Sequence, residues 1–255
     1  YKDLRLESLE GLKKIVFEHK GNLAAIVMEP QRGQEPSNEF IEGIKQLVKE
    51  SGAVWVIDEI SAGFRMNTGG LHLKFDMEPD IAVFSKAMGN GYPIAAIIGK
   101  ENVMQAAQLT FISSTMWTER VGFVAALATI KKHQKYSVGK HLNIIGEKVQ
   151  EGWREVAQET GLIIDVGGIP PLSNFTFQHE KASSIKSFFI QLMLEEGFLS
   201  STIFNSMYAH QTEHFKKYKK ALKNAFTTIA DCLKNDNLEQ NMKGSSTSVG
   251  FRRLT

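Results

Sequence analysis

The hydrophobic positions of this chain follow two different spacings. Four uninterrupted apolar runs have the length of strands, and two other stretches carry apolar side chains three and four residues apart, the spacing of a helix face. The second of these stretches begins just after Ser37, a residue type that caps helices. The pattern predicts strands at 23–28, 54–58, 81–85 and 94–98, and helices at 8–19 and after Ser37. Because strands that are apolar on both faces belong in buried sheets, we expect an α/β fold with a largely parallel sheet.

The pattern changes in the second half of the chain. A helix predicted over 118–135 is apolar nearly all round, so we expect it to be buried and to bridge two domains. Beyond it, helices are predicted at 141–158, 181–195 and 211–234, with short strands at 162–166 and 172–178. This mixture is typical of a small α+β domain. The sequence therefore predicts one domain over 1–135, a second over 136–235, and an extended polar tail over 236–255.

Two reactive side chains follow neighbouring predicted strands. The strand at 54–58 ends in Asp58, and Lys86 follows the strand at 81–85, just before a glycine-rich turn. Open α/β sheets bind ligands at the carboxyl ends of their strands, and a desolvated amine there has a lowered pKa and is nucleophilic. An amine that forms an imine and a carboxylate that keeps a pyridine nitrogen protonated are what a pyridoxal phosphate site needs. Taken singly, Lys86 could be a solvated lysine and Asp58 a strand-end or capping aspartate.

Composition narrows the choice of partners. Hydrophobic residues make up 42% of the 255 positions and charged residues 23%, so the chain is expected to fold as an ordinary globular protein. The formal net charge of +2 gives no reason to expect nucleic acid or a membrane as a partner, and no apolar run approaches the roughly 18 residues of a membrane span. The single cysteine, Cys232, excludes an internal disulfide and suits a reducing compartment, so we expect a cytoplasmic protein. Cys232 lies on an apolar helix stripe and is interpreted as a core residue, not a nucleophile.

Four short motifs occur in order along the first half of the chain. They are Glu29-Pro30 with Gly33, Asp58-Glu59-Ile60 with Gly63-Phe64-Arg65, Phe84-Ser85-Lys86 with Gly89, and Ser114-Thr115 ahead of an alanine-rich helix. With these motifs the chain resembles the class III (subgroup II) aminotransferases of the fold-type I pyridoxal phosphate enzymes, the group that includes glutamate-1-semialdehyde aminomutase. The resemblance implies part of a mixed, mainly parallel large-domain sheet over 1–135 and a small α+β C-terminal domain over 136–235.

The resemblance implies roles for four residues near the cofactor. Lys86 would form a Schiff base with pyridoxal phosphate and, once released by substrate, would act as the base that moves the substrate proton. Asp58 would pair with the ring nitrogen of the cofactor. Ile60 matches the aliphatic position beneath the ring, although an apolar residue there is equally expected as core. Gln34 lies where the family often has an asparagine that bonds the phenolic oxygen, and its alternative interpretation is an exposed loop glutamine.

Ser114 and Thr115 precede the helix predicted at 118–135. They resemble the family's Gly-Thr pair, whose hydroxyl and backbone N–H reach the cofactor phosphate of the neighbouring subunit. The resemblance thus implies a homodimer with a shared active site. A helix N-terminal cap is the alternative interpretation of the two residues, and a helix start is also a natural anion site.

The residues after Thr115 depart from the common family pattern. Many members read Ser-Gly-Asn-Pro there, and this chain reads Met116-Trp117-Thr118-Glu119-Arg120. The departure is similar to the branch that is linked to surface-polysaccharide and nucleotide-sugar pathways. Arg120 could receive a substrate carboxylate or phosphate, or form a salt bridge with a nearby acid, and Arg65 has the same two interpretations. Glu59 is interpreted as a structural acid in its turn.

We therefore predict a pyridoxal phosphate-dependent aminotransferase, in which a small-molecule amino donor leaves its nitrogen for a carbonyl acceptor. Glutamate-1-semialdehyde 2,1-aminomutase is an alternative. The glycine/serine loop that holds the cofactor phosphate in the family, and the aromatic residue that stacks on the ring, are not found, so we expect the C-terminal portion of a longer enzyme. An inactive fragment or a binding protein is thus a further alternative. No metal is expected, because the histidines lack ligand spacing: His72, His179, His210 and His214.

Overall fold

A computed structural model gives the structure of the protein and describes residues 9–31, 33–113, 115 and 117–244. The chain divides into two compact units, one on each side of the peptide bond between Lys140 and His141. Within the described ranges, no helix is both long and apolar enough to cross a membrane.

A four-stranded sheet forms the centre of the first unit. Its strands are β1 (Ala25–Met28), β2 (Val54–Asp58), β3 (Ile81–Phe84) and β4 (Ala96–Gly99), and they lie in the order β1-β2-β3-β4. The first three strands are parallel and β4 is antiparallel to β3. The four predicted strands are thus confirmed, as is the largely parallel sheet. Because β2 and β3 are parallel, with Asp58 opposite Val83, the segments that follow them emerge at the same edge of the sheet.

The helices of the first unit are α1 (Leu9–Glu18), α2 (Asn38–Ser51), α3 (Glu101–Met104) and α4 (Val121–Lys135). Ser37 caps α2 as predicted, since its Oγ accepts the N–H of Phe40 at 3.1 Å. Apolar side chains of α2 pack against β2 in one core cluster, which contains Ile41, Ile44, Trp55, Ile57 and Met77. Helix α2 therefore covers one face of the sheet at β2, while Val27 of β1 and Ile97 of β4 are more than half exposed.

No long helix connects β2 to β3. Residues 59–80, called the β2–β3 loop below, contain only one short 3-10 turn, at Leu71–Phe75. The glycine-rich and polar composition of residues 59–79 predicts a loop, and the structure confirms it. The consequence is that an irregular segment, and not a helix, follows directly after Asp58.

Helix α4 corrects a second prediction. It was expected to be buried because it is apolar nearly all round, yet Val121, Phe123, Val124 and Leu127 are each more than half exposed. Only a narrow stripe that includes Gly122 and Ala126 is buried. Gly122 lies so close to the segment before β4 that an added Cβ would come within 2.8 Å of the carbonyl oxygen of Pro93. A helix that is apolar all round is expected to be covered on every face, but the pattern does not indicate which segment or which other chain covers each face.

In its described residues the second unit has an antiparallel sheet and four helices, the first of which begins three residues before the boundary at His141. Helix α5 (Val138–Thr160) leads into strands β5 (Ile164–Gly167), β6 (Leu172–Phe177) and β7 (Ile203–Asn205), which lie in the order β5-β6-β7. Helices α6 (Ala182–Glu195), α7 (Thr212–Lys234) and α8 (Leu238–Asn241) complete the unit. Aromatic side chains from α5, β6, α6 and α7 meet in one core that includes Trp153, Phe175, Phe189 and Phe226. The α+β composition that the sequence predicted is confirmed.

The end of the described chain also differs from its prediction. Residues from 236 onward were expected to form an extended polar tail, but α8 forms there and Leu238 is 0% exposed. Leu238 joins the core of the unit, Met242 packs against the same core, and Lys181 pairs with Asp236 and Glu239. Cys232, just before this segment, is buried as predicted, and burial together with Asp231 raises the pKa of its thiol. A thiol in that state suits packing and not nucleophilic chemistry.

Candidate active site

Lys86 lies in a tight and strained turn at the end of β3. Its backbone has φ of +41°, a left-handed value that is uncommon for a residue with a side chain. The Lys86 carbonyl oxygen accepts the N–H groups of Gly89 and Asn90 at 3.1 and 3.0 Å, and the Ser85 hydroxyl donates to the Ile94 carbonyl oxygen at 2.7 Å. These bonds hold Lys86 in a conformation that it would otherwise avoid, as is common at functional sites.

The amine of Lys86 points to the neighbouring strand. Its Nζ donates a hydrogen bond of 2.7 Å to Oγ of Ser61, three residues after Asp58. Oδ1 of Asp58 accepts the N–H of Ile60 at 2.9 Å, which closes a local turn at the end of β2. The structure thus brings the amine of Lys86 to the turn that carries Asp58, at the edge of the sheet that the sequence predicted.

Behind this turn lies a buried acid. The side chain of Glu59 is 0% exposed, and its Oε1 accepts the backbone N–H of His72 and contacts Nδ1 of the same residue, both at 2.7 Å. Gly70 makes room for the contact, since a Cβ there would come within 2.7 Å of Oε1. The interpretation of Glu59 as a structural acid agrees with this geometry. The partner of Glu59 was not predicted, because it lies thirteen residues further along an irregular loop.

Helix α4 is attached to the same loop through a neutral histidine. His133 is buried, its Nε2 donates to the carbonyl oxygen of Phe64 at 3.1 Å, and its Nδ1 accepts the Thr68 hydroxyl at 2.8 Å. Burial lowers the pKa of His133, and the hydrogen bond to Phe64 opposes this only in part. The neutral ring therefore uses one nitrogen as donor and the other as acceptor.

The two arginines that the sequence singled out are placed differently. Arg65 is half-buried in the β2–β3 loop, burial lowers its pKa, and its Nε donates to the Ser61 carbonyl oxygen at 3.4 Å. Arg120 is exposed directly before α4. Neither guanidinium forms an ion pair with a carboxylate of the described residues, so the salt bridge considered for each is not found there. A guanidinium keeps its charge even when its pKa is lowered, so both remain able to bind an anion.

The remaining predicted site residues are less well defined. Ile60 is half-buried beside Asp58, Gln34 is exposed after β1, and Thr115 is exposed in a turn before α4. Ser114 lies outside the described residues. Since β1 is parallel to β2, Gln34 follows a strand that ends at the same edge as Asp58. The structure therefore joins Lys86 to the turn that contains Asp58 and Ile60 through Ser61, which the sequence analysis did not select.

A second acid that the sequence analysis missed stabilises the start of β3. Asp80 accepts the N–H of Trp55 at 2.8 Å through Oδ2, and Nζ of Lys100 at 2.9 Å through Oδ1. Burial opposes ionisation of Asp80, but the Trp55 N–H and Lys100 prevail and lower its pKa. The contact joins residues 25 positions apart, so local pattern carried no signal for it. In the described ranges, no three side chains of His, Cys, Asp or Glu are grouped in a way that could hold a metal ion.

Comparison with known proteins identifies the family. A family model described as aminotransferase class-III matches residues 2–233 of this chain. The chain belongs to the class-III aminotransferase family, which confirms the resemblance inferred from the four motifs.

Curated relatives include both aminotransferases and aminomutases. The chain is 30% identical to a 3-aminobutyryl-CoA aminotransferase of Cloacimonas acidaminovorans, over 77% of this chain and 50% of that protein. It is 31% identical to a glutamate-1-semialdehyde 2,1-aminomutase of Clostridium botulinum, over 82% of this chain and 55% of that protein. The chain thus spans about half the length of the curated relatives it matches.

Solved structures share the fold. The FumI protein of Sphingopyxis sp. MTA144 has a TM-score of 0.83 at 23% identity, covering 89% of this chain and 57% of that one. An omega-transaminase from Sphaerobacter thermophilus has a TM-score of 0.78 at 18% identity, covering 88% and 56%. The prediction of a fold-type I architecture is confirmed by these likenesses.

Proposed function

We propose that this chain carries part of the active site of a pyridoxal phosphate-dependent aminotransferase, which moves an amino group from a small-molecule donor to a carbonyl acceptor. The observation that carries the proposal is the hydrogen bond from Nζ of Lys86 to Ser61, which brings an amine to the strand end of Asp58. Membership of the class-III family supports the same reaction. In this proposal the first unit corresponds to the C-terminal half of a cofactor-binding large domain, and the second unit to the small domain.

The residues present fit pyridoxal phosphate. The cofactor has an aldehyde, which needs a primary amine, and a pyridine nitrogen, which needs a carboxylate. Lys86 is an exposed amine at the end of β3, and Asp58 is a half-buried carboxylate at the end of the adjacent strand. A solved transaminase of similar fold, with a TM-score of 0.79 at 20% identity, has the cofactor bound. When bound, the cofactor supplies an electron sink for the reaction.

Each side chain then has a defined task. The amine of Lys86 would hold the cofactor through its aldehyde, with release of water, and when free would take and return the proton at the substrate Cα. Ser61 holds this nitrogen beside the end of β2. The carboxylate of Asp58 would keep the ring nitrogen protonated, Ile60 would pack against the ring, and Gln34 would donate to the phenolic oxygen. These roles of Asp58, Ile60 and Gln34 rest on their motif positions in the family.

The test is a covalent adduct between Lys86 and the added cofactor. We expect pyridoxal phosphate to produce an absorbance band at the violet edge of the visible range, and borohydride to fix the cofactor on the peptide that contains Lys86. The variant Lys86→Ala should show neither. Lys49→Ala, which removes an exposed lysine on α2, should behave as the parent. Absence of the band in the parent, or a label elsewhere, would contradict the proposal and favour an inactive fragment or a binding protein.

We also propose a homodimer in which Ser114 and Thr115 reach the cofactor phosphate of the neighbouring subunit. Support comes from the large apolar side chains that the described structure leaves exposed on both sides of Thr115. Phe111 is 96% exposed, and the exposed face of α4 follows Thr115 in the chain. Large exposed apolar side chains of this kind mark interaction sites in soluble proteins, and the proposal assigns them to a second copy of this chain. Arg120, exposed between these two stretches, is proposed to receive a substrate carboxylate or phosphate.

A second candidate function is that of glutamate-1-semialdehyde 2,1-aminomutase. It is favoured by two relatives of that name, at 31% and 28% identity over 82% and 87% of this chain. Glutamate-1-semialdehyde as sole substrate should be isomerised by a mutase, whereas an aminotransferase needs a separate amino donor and acceptor. The residues at 116–120 instead support an acceptor from surface-polysaccharide or nucleotide-sugar metabolism. We further propose a cytoplasmic location, on the basis of a single cysteine that suits a reducing compartment.

A further inference from the structure

We propose that Glu59 and His72 form a hydrogen-bonded pair that positions the turn carrying Asp58 and Ser61. The inference rests on the proposed function for its catalytic consequence, but the pair itself is a feature of the first unit. Both residues are positioning residues, since their contact is with each other and with the backbone of the β2–β3 loop.

The contacts of Glu59 show how strongly its turn is held. Its backbone N–H donates to the carbonyl oxygen of Val83 at 2.9 Å, and its own carbonyl oxygen accepts the N–H of Gly63 at 2.8 Å. Its side-chain Oε1 accepts the backbone N–H of His72 and contacts the ring Nδ1 of the same residue. Glu59, the residue directly after Asp58, is therefore bonded to β3, to the turn that contains Ser61, and to the 3-10 turn that contains His72.

The segment around His72 leaves space for the carboxylate of Glu59. His72 lies in the 3-10 turn that follows Gly70, and its carbonyl oxygen accepts the N–H of Met77 at 3.1 Å. A Cβ on Gly70 would come within 2.2 Å of Nδ1 of His72, so only glycine allows the approach. The side chain of His72 is 10% exposed, which removes water as a competing partner for Oε1.

The pair is poorly explained as a device for stability alone. Oε2 of Glu59 is buried and has no partner among the described residues. A buried carboxylate oxygen without a partner is destabilising, and buried polar pairs are often less stabilising than apolar replacements. The position of the pair, one residue beyond Asp58, gives it a different use. A donor on His72 fixes the carboxylate of Glu59, and with it the backbone turn in which Asp58 accepts the N–H of Ile60.

The pair is tested by two substitutions at one position. Nδ2 of asparagine occupies nearly the same place as Nδ1 of histidine, so His72→Asn keeps a donor to Glu59, whereas His72→Leu keeps only the bulk. Two readouts need no cofactor. Tryptic cleavage after Arg65, inside the loop, should be about tenfold faster in His72→Leu than in the parent because the loop opens more often. Nitrogen-15 NMR of the parent should show a proton on Nδ1 of His72.

A third readout uses pyridoxal phosphate. We expect the absorbance band of the Lys86 adduct to titrate at a different pH in His72→Leu, and both this titration and the cleavage rate to return close to the parent in His72→Asn. If His72→Leu lowers only the midpoint of thermal unfolding, with unchanged cleavage and titration, the pair is merely structural and the inference is overturned. A proton absent from Nδ1 would overturn it as well. A parent that forms no adduct contradicts the proposed function instead, and leaves the cleavage and NMR readouts as tests of the pair.

Discussion

The side-chain amine of Lys86 donates a hydrogen bond of 2.7 Å to the hydroxyl of Ser61. This bond joins the end of β3 to the turn after β2, and so sets the amine beside the segment that begins with Asp58. The acceptor is a neutral hydroxyl and not a carboxylate, so the amine is held without a strong ion pair that a cofactor would have to break. The arrangement orders the lysine before it reacts.

Loss of the Ser61 hydroxyl should slow the reaction of Lys86 with the cofactor. We expect Ser61→Ala to form the adduct about threefold to tenfold more slowly, which corresponds to one net hydrogen bond. Ser61→Thr retains a hydroxyl and should stay close to the parent. The measurement is the rate at which the absorbance band appears after mixing with pyridoxal phosphate. Equal rates in all three proteins would show that the bond does not orient the amine.

Because the backbone at Lys86 is strained, we expect glycine to be more stable than alanine at this position. Since φ is +41° there, Lys86→Gly should be more stable than Lys86→Ala by about 1 kcal/mol, because glycine adopts left-handed values freely. The free energy of unfolding in urea measures the difference. Lys49, inside α2, is the matched control, where glycine should be less stable than alanine by up to about 1 kcal/mol. The same order of stability at both positions would contradict the strain.

Asp80 should make the stability of the protein depend on pH in the acid range. Its pKa is lowered in the folded state from an ordinary value of 3.8, so its contribution is complete above pH 3.8 and is lost as the pH falls through the folded pKa. At neutral pH, Asp80→Asn should lower the free energy of unfolding by about 1–2 kcal/mol. The difference from the parent should shrink below pH 4. Asp165→Asn, at an exposed position on β5, is the control and should have little effect at any pH.

The exposed face of α4 should govern self-association. We expect the parent to sediment as a dimer, and the double substitution of Phe123→Ser and Leu127→Ser to give a monomer that is still folded, because both side chains are more than half exposed in the single chain. Phe17→Ser is the control, since Phe17 is 81% exposed on α1 and lies outside this face. Sedimentation velocity at micromolar concentration distinguishes the two states. A monomeric parent, or a dimeric double variant, would refute the proposed interface.

Much of the first unit could be predicted because its signals are local. Apolar runs indicated all four strands, and Ser37 indicated the start of α2 from residue type alone. The carboxyl-end rule for parallel strands then predicts that Asp58 and Lys86 lie at one edge of the sheet. Helix α8 had no such local signal, because its polar segment is held by contacts with distant residues, among them Leu238 with the core and Lys181 with Asp236.

The contacts that shape the candidate site had no local signal. Ser61 and Lys86 lie 25 residues apart, and so do Trp55 and Asp80. Such pairs can be predicted only when the strand order and the register of β2 with β3 are known. A shift of one residue in the register would turn each side chain to the opposite face of the sheet.

The amino-acid sequence by itself determined the family, the strands, and the two residues whose chemistry the proposed reaction needs, because each depends on residue type and short spacing. Only the tertiary structure decided which hydroxyl meets the amine of Lys86, that Glu59 is buried against His72, and that one face of α4 lies open. Each of these features depends on which distant segments of the chain pack against each other. That packing is set by the folded chain as a whole and cannot be inferred from residues that are neighbours in the sequence.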